Sequence, residues 1–381
     1  MQKKHLFFIV LFSILLIQCQ NVYKKDSPKF LVPFVKNLEV NPCLEPSDEK
    51  IFECPVSQAV VKWEEKDVFN PACVVKNDTL FLLYRAEDSI GKFNGTSRIG
   101  LAYSLDGYHF TKEPQPVLFP DNDEFEKFEW EGGCEDPRLV EDENGTYYLT
   151  YTAYDGDKAR LFVATSKNLR HWTKYGSVFK KAGDKYVDMW SKSGAIVSKH
   201  ENGRMIATKI NGKYWMYWGE SNIYMATSDN LIDWIPVLET DPAKMQPDTM
   251  RNYTTSFKIL FSTRKGKFDS ELVEPGPPAI ITEQGILFIY NSKNSPEYGD
   301  KNLAPGTYAA GQIILDKKDP TQVLYRADDW FLTPDQQFEI TGQVNNVCFV
   351  EGLVYYKNKW LLYYGTADSK IAVAESITIL D

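Results

Sequence analysis

Among the 381 residues, the carboxylates have the types and positions best suited to chemistry. Glu135-Asp136-Pro137-Arg138, Glu220 and Glu274-Pro275-Gly276-Pro277-Pro278 each place an acid at the edge of an apolar, aromatic-rich run. Asp88 and Asp368 stand just beyond two further runs of the same kind. Two carboxyl groups on either side of a glycosidic bond can cleave it, one protonating the leaving oxygen and the other activating water on the opposite face. A single Asp or Glu in such a turn is ordinarily a cap, a turn former or an ion-pair partner, so it is the recurrence that gives these residues weight. Neither a Cys-x-x-Cys nor a His-Cys cluster with ligand spacing occurs, which predicts no metal site, and no cofactor is called for.

Those acids need elements to bring them together, and the sequence repeats. Residues 80–84, 147–151, 214–218, 287–291 and 360–364 are apolar or aromatic strands ending in a short signature. Aligning Tyr84, Tyr151, Trp218, Asn291 and Tyr364 gives spacings of about 67, 67, 73 and 73 residues. A second alternating strand follows most of them, at 99–104, 159–165, 223–227 and 371–375. Three of these continue as Ala-x-Ser-x-Asp/Asn with an aromatic residue four positions further on, at 102–110, 164–172 and 226–234. Asp106-Gly107, Asn144-Gly145, Asn202-Gly203 and Asn211-Gly212 supply hairpin turns. Almost nothing reads as an amphipathic helix. The pattern predicts an all-β, five-bladed β-propeller over residues 66–381, whose inner strands converge on a central channel so that acids distant in sequence can meet. A β-sandwich would leave the matched units unexplained.

Residues 1–19 have the layout of an export signal: Lys3, Lys4 and His5, then an apolar run from Leu6 to Ile17, then Gln18-Cys19. The run is short for a membrane span. Leu16-Ile17-Gln18-Cys19 resembles a lipobox, which predicts an exported bacterial protein in the periplasm or at the outer membrane or cell surface. It would be lipid-anchored at Cys19 and touch the membrane only there. Residues 20–65, with Pro28, Pro33, Pro42, Pro46 and Pro55, read as a tether and irregular lead-in. A net charge of -9 and a pI near 5.2, without a basic patch, argue against a nucleic-acid partner. Past Cys19, an oxidising compartment would permit a Cys43–Cys54 bridge.

Taken in order, several segments together resemble glycoside hydrolase family 130, the mannoside phosphorylases and β-mannosidases. They are Phe69-Asn70-Pro71-Ala72, Leu83-Tyr84-Arg85-Ala86, Ser97-Arg98-Ile99-Gly100, Cys134-Glu135-Asp136-Pro137-Arg138, Asn211-Gly212-Lys213-Tyr214, Pro275-Gly276-Pro277-Pro278 and Tyr363-Tyr364-Gly365-Thr366-Ala367-Asp368. The resemblance implies a mannose-containing oligosaccharide substrate and a site in the central cavity. It makes Asp136 a catalytic candidate, the proton donor acting through a substrate hydroxyl. It also makes Asn70, Arg85, Arg98, Arg138 and Asp368 candidates for mannosyl contacts. Phosphorylases of the family carry basic residues, commonly His-Arg, after the Gly-Lys-Tyr strand, whereas Trp218-Gly219-Glu220 stands here. A carboxylate repels a phosphate dianion but can serve as a base toward water. Glu220 and Glu274 therefore resemble the catalytic pair of the hydrolytic β-1,2-mannosidase branch. Lys192 and Lys209 could still hold an anion, which leaves phosphorolysis as the second reading and a non-catalytic glycan-binding propeller as the third. Five-bladed arabinosidases and fructosidases share the strand pattern.

Overall fold

The structure, a computed structural model, describes residues 30–245 and 256–378. The leader at 1–19, with Cys19, lies outside the described residues.

Short runs of alternating apolar side chains, separated by Asp, Asn and Gly turns, fold as successive antiparallel meanders. The lead-in contains β1 (Val35–Lys36), β2 (Phe52–Glu53) and β3 (Val60–Val61). The first meander is β4 (Asp67–Lys76), β5 (Thr79–Glu87), β6 (Ser97–Ser104) and β7 (Thr111–Lys112). The next is β8 (Gly133–Glu141), β9 (Tyr147–Tyr154), β10 (Ala159–Ser166) and β11 (Thr173–Ser177). A third is built from β12 (Ala195–Glu201), β13 (Arg204–Ala207), β14 (Tyr214–Trp218), β15 (Asn222–Ser228), β16 (Trp234–Pro236) and β17 (Ile259–Ser262). It is followed by β18 (Leu272–Pro275), β19 (Ala279–Thr282), β20 (Gly285–Lys293), β21 (Tyr308–Leu315) and β22 (Val323–Arg326). The last comprises β23 (Cys348–Tyr356), β24 (Lys359–Thr366) and β25 (Lys370–Ser376). Each described helix is a single turn. The core fills the spaces between meanders: Leu82 and Tyr84 pack in one cluster with Tyr363 and Val373, and Ile289 in another with Val350 and Tyr364.

The lead-in does not behave as a tether from residue 30 onward. β1 pairs antiparallel with β25, Val35 opposite Glu375 and Lys36 opposite Ala374, and so gives the last sheet its fourth strand. Leu31 is fully buried, its backbone exchanging hydrogen bonds with the Gln312 side chain. Proline suits such a segment because it lies at a sheet edge, where missing amide donors cost little. The expected Cys43–Cys54 bridge is not formed. Both thiols are free, as are Cys73, Cys134 and Cys348.

A buried triad of tyrosine, carboxylate and cation recurs among the sheets. The Tyr84 hydroxyl donates to Glu64, which also binds Lys112. Tyr151 donates to Glu129, paired with Lys174. Tyr290 donates to Asp269, paired with Arg326. Tyr364 donates to Glu339, paired with Lys36. All four carboxylates are fully buried, a state that is tolerable because each has both a hydroxyl donor and a cation. Lys36 of β1 thus stands where Lys112 of β7, Lys174 of β11 and Arg326 of β22 stand. The triad also corrects the repeat: its fourth member is Tyr290, not Asn291. One position along a strand reverses the face, and Asn291 instead exchanges hydrogen bonds with the backbone of Val350.

The Ser-x-Asp/Asn continuation has a local cause as well. Ser104, Ser166 and Ser228 accept backbone N–H groups two or three residues ahead, while Asp106, Asn168 and Asn230 do the same one step later. These side chains hold the turns that follow β6, β10 and β15.

Candidate active site

Every meander contributes to one cavity of about 530 Å³, counting its open mouth. Its walls include Phe69 and Asn70 of β4, Arg85 of β5, Asp136 of β8, Lys192 before β12, Glu220 after β14, Glu274 of β18, Tyr308 of β21, Phe349 of β23 and Asp368 after β24.

The backbone bends to present these groups. Register shifts interrupt β4 between Phe69 and Pro71, β8 between Glu135 and Arg138, and β23 between Val350 and Gly352. Such bulges leave one residue unpaired and re-aim its side chain. Asn70 and Asp136, each followed by a proline that cannot donate to the ladder, occupy two of them. Asn70, Asp136, Ser193 and Asp368 have φ of 48°, 46°, 58° and 50°. Left-handed geometry costs a non-glycine residue on the order of 1 kcal/mol and is concentrated at functional sites. Gly365 makes room for one of them, because a Cβ there would lie 2.5 Å from Asn70 Oδ1.

Two cations serve a surplus of acids. Lys192 Nζ lies 3.3 Å from Glu274 Oε1, 3.8 Å from Asp136 Oδ2 and 3.9 Å from Glu220 Oε2. The Glu220 and Glu274 oxygens are therefore at most 7.2 Å apart, the sum of the two legs. Arg85 reaches Glu87 at 2.6 Å, Glu135 at 2.9 Å and Asp136 at 3.2 Å. The Asn70 amide donates to Asp136 at 2.9 Å, and Ser193 donates its hydroxyl to Glu274.

The environments separate the acids. Burial would push Asp136 up, but Arg85, Lys192 and the Asn70 donor outweigh it and hold its pKa at about 2. Burial dominates at Asp368 and lifts it to about 7 against the pull of Arg85, with Asp136 adding repulsion. Glu135 is likewise raised by burial to about 7, Arg85 opposing. Glu274 is raised by burial, opposed by Lys192 and reinforced by the charge of Glu220. Lys192 loses charge stability to burial but recovers more from Glu274, Glu220 and Asp136, so it stays protonated. The cavity thus offers an ionised Asp136 beside carboxyls able to carry a proton near neutral pH, the division that acid–base catalysis uses.

Of the residues predicted from sequence, Asp136, Glu220, Glu274, Asn70, Arg85, Lys192 and Asp368 line the cavity. Arg98 and Arg138 do not. Arg98 is 1% exposed, 2.7 Å from Asp88, with its guanidinium over the Phe52 ring. Arg138 is 2% exposed and faces backbone carbonyls and Glu351. Regular alternation would put Arg138 on the same face as Asp136, two residues earlier, but the register shift between Glu135 and Arg138 breaks that alternation and turns Arg138 away from the cavity. Ser193 and Glu135 were missed, although each adjoins a predicted residue. Among the described residues no group of three or more His, Cys, Asp and Glu could hold a metal ion.

A cavity walled by acids, aromatic rings and an arginine, on an all-β scaffold, is that of an enzyme acting on glycosides. A family model described as beta-1,4-mannooligosaccharide phosphorylase matches residues 36–381, and the chain belongs to glycoside hydrolase family 130. A 1,2-beta-oligomannan phosphorylase from Thermoanaerobacter sp. (strain X514) is 29% identical over 352 residues, covering 89% of this chain and 96% of the relative. A glycosyl hydrolase from Bacteroides ovatus is similar in structure, with a TM-score of 0.84 and 44% identity over 91% of this chain and 94% of that one. A solved GH130 protein reported with glycoside hydrolases that target beta-1,2 mannosidic linkages in Candida mannan has a TM-score of 0.86. It is 44% identical, covering 93% of this chain and 98% of its own.

Proposed function

We propose that the protein hydrolyses β-1,2-mannosidic linkages in mannose-containing oligosaccharides with inversion, on a five-bladed β-propeller whose blades are the meanders. The observation that carries hydrolysis is the charge of the cavity. Four acids, Asp136, Glu220, Glu274 and Asp368, stand against Arg85 and Lys192 among its described lining residues. Both cations are already engaged by acids. A phosphate dianion entering here would find both lining cations taken and an ionised Asp136 beside them in a partly desolvated space, whereas water carries no charge to be repelled.

In this reading Glu274, buried and raised above the ordinary carboxylate range, is the general acid, because an acid must still hold its proton at working pH. Glu220, whose side chain is 18% exposed against 3% for Glu274, is the base that activates water. The 7.2 Å bound on their oxygens admits the lower end of the roughly 6.5–9.5 Å that leaves room for that water. Asp136, ionised and fixed by Asn70 and Arg85, is better suited to accept hydrogen bonds from mannosyl hydroxyls than to donate a proton. The greater identity to hydrolases than to phosphorylases supports the same choice. The export that the leader sequence implies would fit too, since conserving bond energy as a sugar phosphate benefits a cell only inside it.

Phosphorolysis draws on Lys192 and Arg85 facing the cavity and on the phosphorylase relatives. Purified enzyme on β-1,2-mannobiose, with and without phosphate, separates the two. The expected result is mannose release without phosphate and no mannose 1-phosphate. Strict dependence on phosphate would establish the phosphorylase.

A further inference from the structure

Outside the cavity lining lies a buried arginine with an acid packed against it, which the chemistry above does not use. Arg138 of β8 and Glu351 of β23 have their side chains 1% and 0% exposed, with Nη2 and Oε1 2.8 Å apart. Among the described residues the guanidinium donates its hydrogen bonds to backbone carbonyls: Gly276 O receives Nε at 3.0 Å, Pro275 O receives Nη2 at 2.7 Å, and Asp136 O receives Nη1 at 3.3 Å. Pro275 directly follows Glu274, so one planar group grips the backbone at Asp136 and beside Glu274, on two different meanders. The third meander in the contact is fixed independently. Asn291 exchanges hydrogen bonds with the backbone of Val350, next to Glu351, and Gly276 approaches Val350 O so closely that a Cβ there would lie 3.0 Å away.

We propose that the Arg138–Glu351 pair is a positioning device that sets the spacing between Asp136 and Glu274. Arginine is required because its rigid fork of donors serves three carbonyls at fixed angles, which a lysine point charge cannot. Glu351 packs beside the guanidinium; burial raises its carboxyl well above the usual carboxylate range against the pull of Arg138, so it holds the group in place by contact, not as a full counter-charge. Displacement of reacting groups by about 1 Å from such a support costs on the order of 10²-fold in rate. Neither side chain touches the cavity, so substrate affinity is not its province.

The inference rests on Asp136 and Glu274 forming the working site, and R138K tests it. The variant should retain its fold by circular dichroism, lose about 100-fold in kcat on β-1,2-mannobiose and change KM by less than about threefold. A folded R138K with near wild-type kcat, or a loss confined to KM, overturns the proposal. If R138K does not fold, E351Q keeps the shape and an acceptor oxygen. It should lose about tenfold in kcat at constant KM, and an unchanged kcat there is equally decisive against. Wild-type enzyme assayed in parallel with and without phosphate reports separately on hydrolysis. The variant-to-wild-type ratio is then read in whichever condition supports turnover.

Discussion

The third sheet and the others use the same residue types for different ends. In the sheets of β5, β9, β20 and β24, each tyrosine hydroxyl meets a buried carboxylate that has a cation of its own. At the matching position of β14 stands Trp218, whose indole nitrogen has no hydrogen-bond partner among the described residues. That sheet instead gives the cavity Lys192 and Glu220, and Lys192 is shared among three acids. A carboxylate with its own hydroxyl and cation is satisfied and inert. Acids that must share a cation keep separated proton affinities, and those can do chemistry.

The largest effect should come from breaking a satisfied triad. Lys36→Met removes the cation of Glu339, which is fully buried, and unfastens β1 from the last sheet. Removing one partner of a buried pair costs about 3–5 kcal/mol. The lower figure is expected, because Glu339 keeps the Tyr364 hydroxyl and the amides of Asp335 and Gln336. Chemical denaturation should show that loss while kcat of the folded fraction is unchanged. A lowered kcat at full stability would mean that the triads belong to the catalytic apparatus.

Breaking the shared arrangement should do the reverse. Glu220→Gln and Glu274→Gln should each lower kcat by about 10² or more, equivalent to about 2.7 kcal/mol, with little change in stability. An aryl mannoside with a good leaving group separates the roles, since it needs little protonation. It should restore much of the rate to the Glu274 variant and little to that of Glu220. Rescue of the Glu220 variant alone would exchange the acid and the base. Full activity in both would end the assignment.

How much of this could be read from the chain depends on the range of the signal. The alternating strands and Asn-Gly turns are local, and β5, β9, β14, β20 and β24 lie where the repeat puts them. The acids were legible because they recur at the edges of matched aromatic-rich runs, as at Asp136, Glu220 and Glu274. The triads were present too, as an acid some twenty residues before each tyrosine, but their partners come from separate strands and no periodicity links them. Lys36 was the hardest, since its sheet partner is more than 300 residues away. Arg138 failed because a motif gives neighbours in sequence, whereas the bulge after Glu135 decides which of them face the cavity, and Arg98 of β6 failed because it turns to Asp88 instead.

The smallest effect concerns an acid that the cavity holds at a cost. Asp368 has its pKa raised from 3.8 to about 7 by burial, with Asp136 and Glu87 adding repulsion. A raised carboxylate binds its proton more tightly folded than unfolded. Its contribution to stability is therefore intact below about pH 4 and lost as pH rises through about 7. Asp368→Asn has no proton to lose, so its stability relative to wild type should grow across that interval. Asparagine also tolerates the left-handed backbone at φ 50°, an advantage equal at every pH, so the informative quantity is the difference between pH 4 and pH 8. The side chain is largely enclosed but keeps an edge in contact with solvent, where water screens part of the repulsion, so the gain should be about 1 kcal/mol, on the order of 2 °C in Tm at pH 8. Activity should fall, since an amide replaces a carboxylate in the cavity wall, as expected where a site is kept at the expense of stability. An equal shift in Tm at both pH values would assign the gain to the backbone and remove Asp368 from the set of acids whose charge the cavity strains.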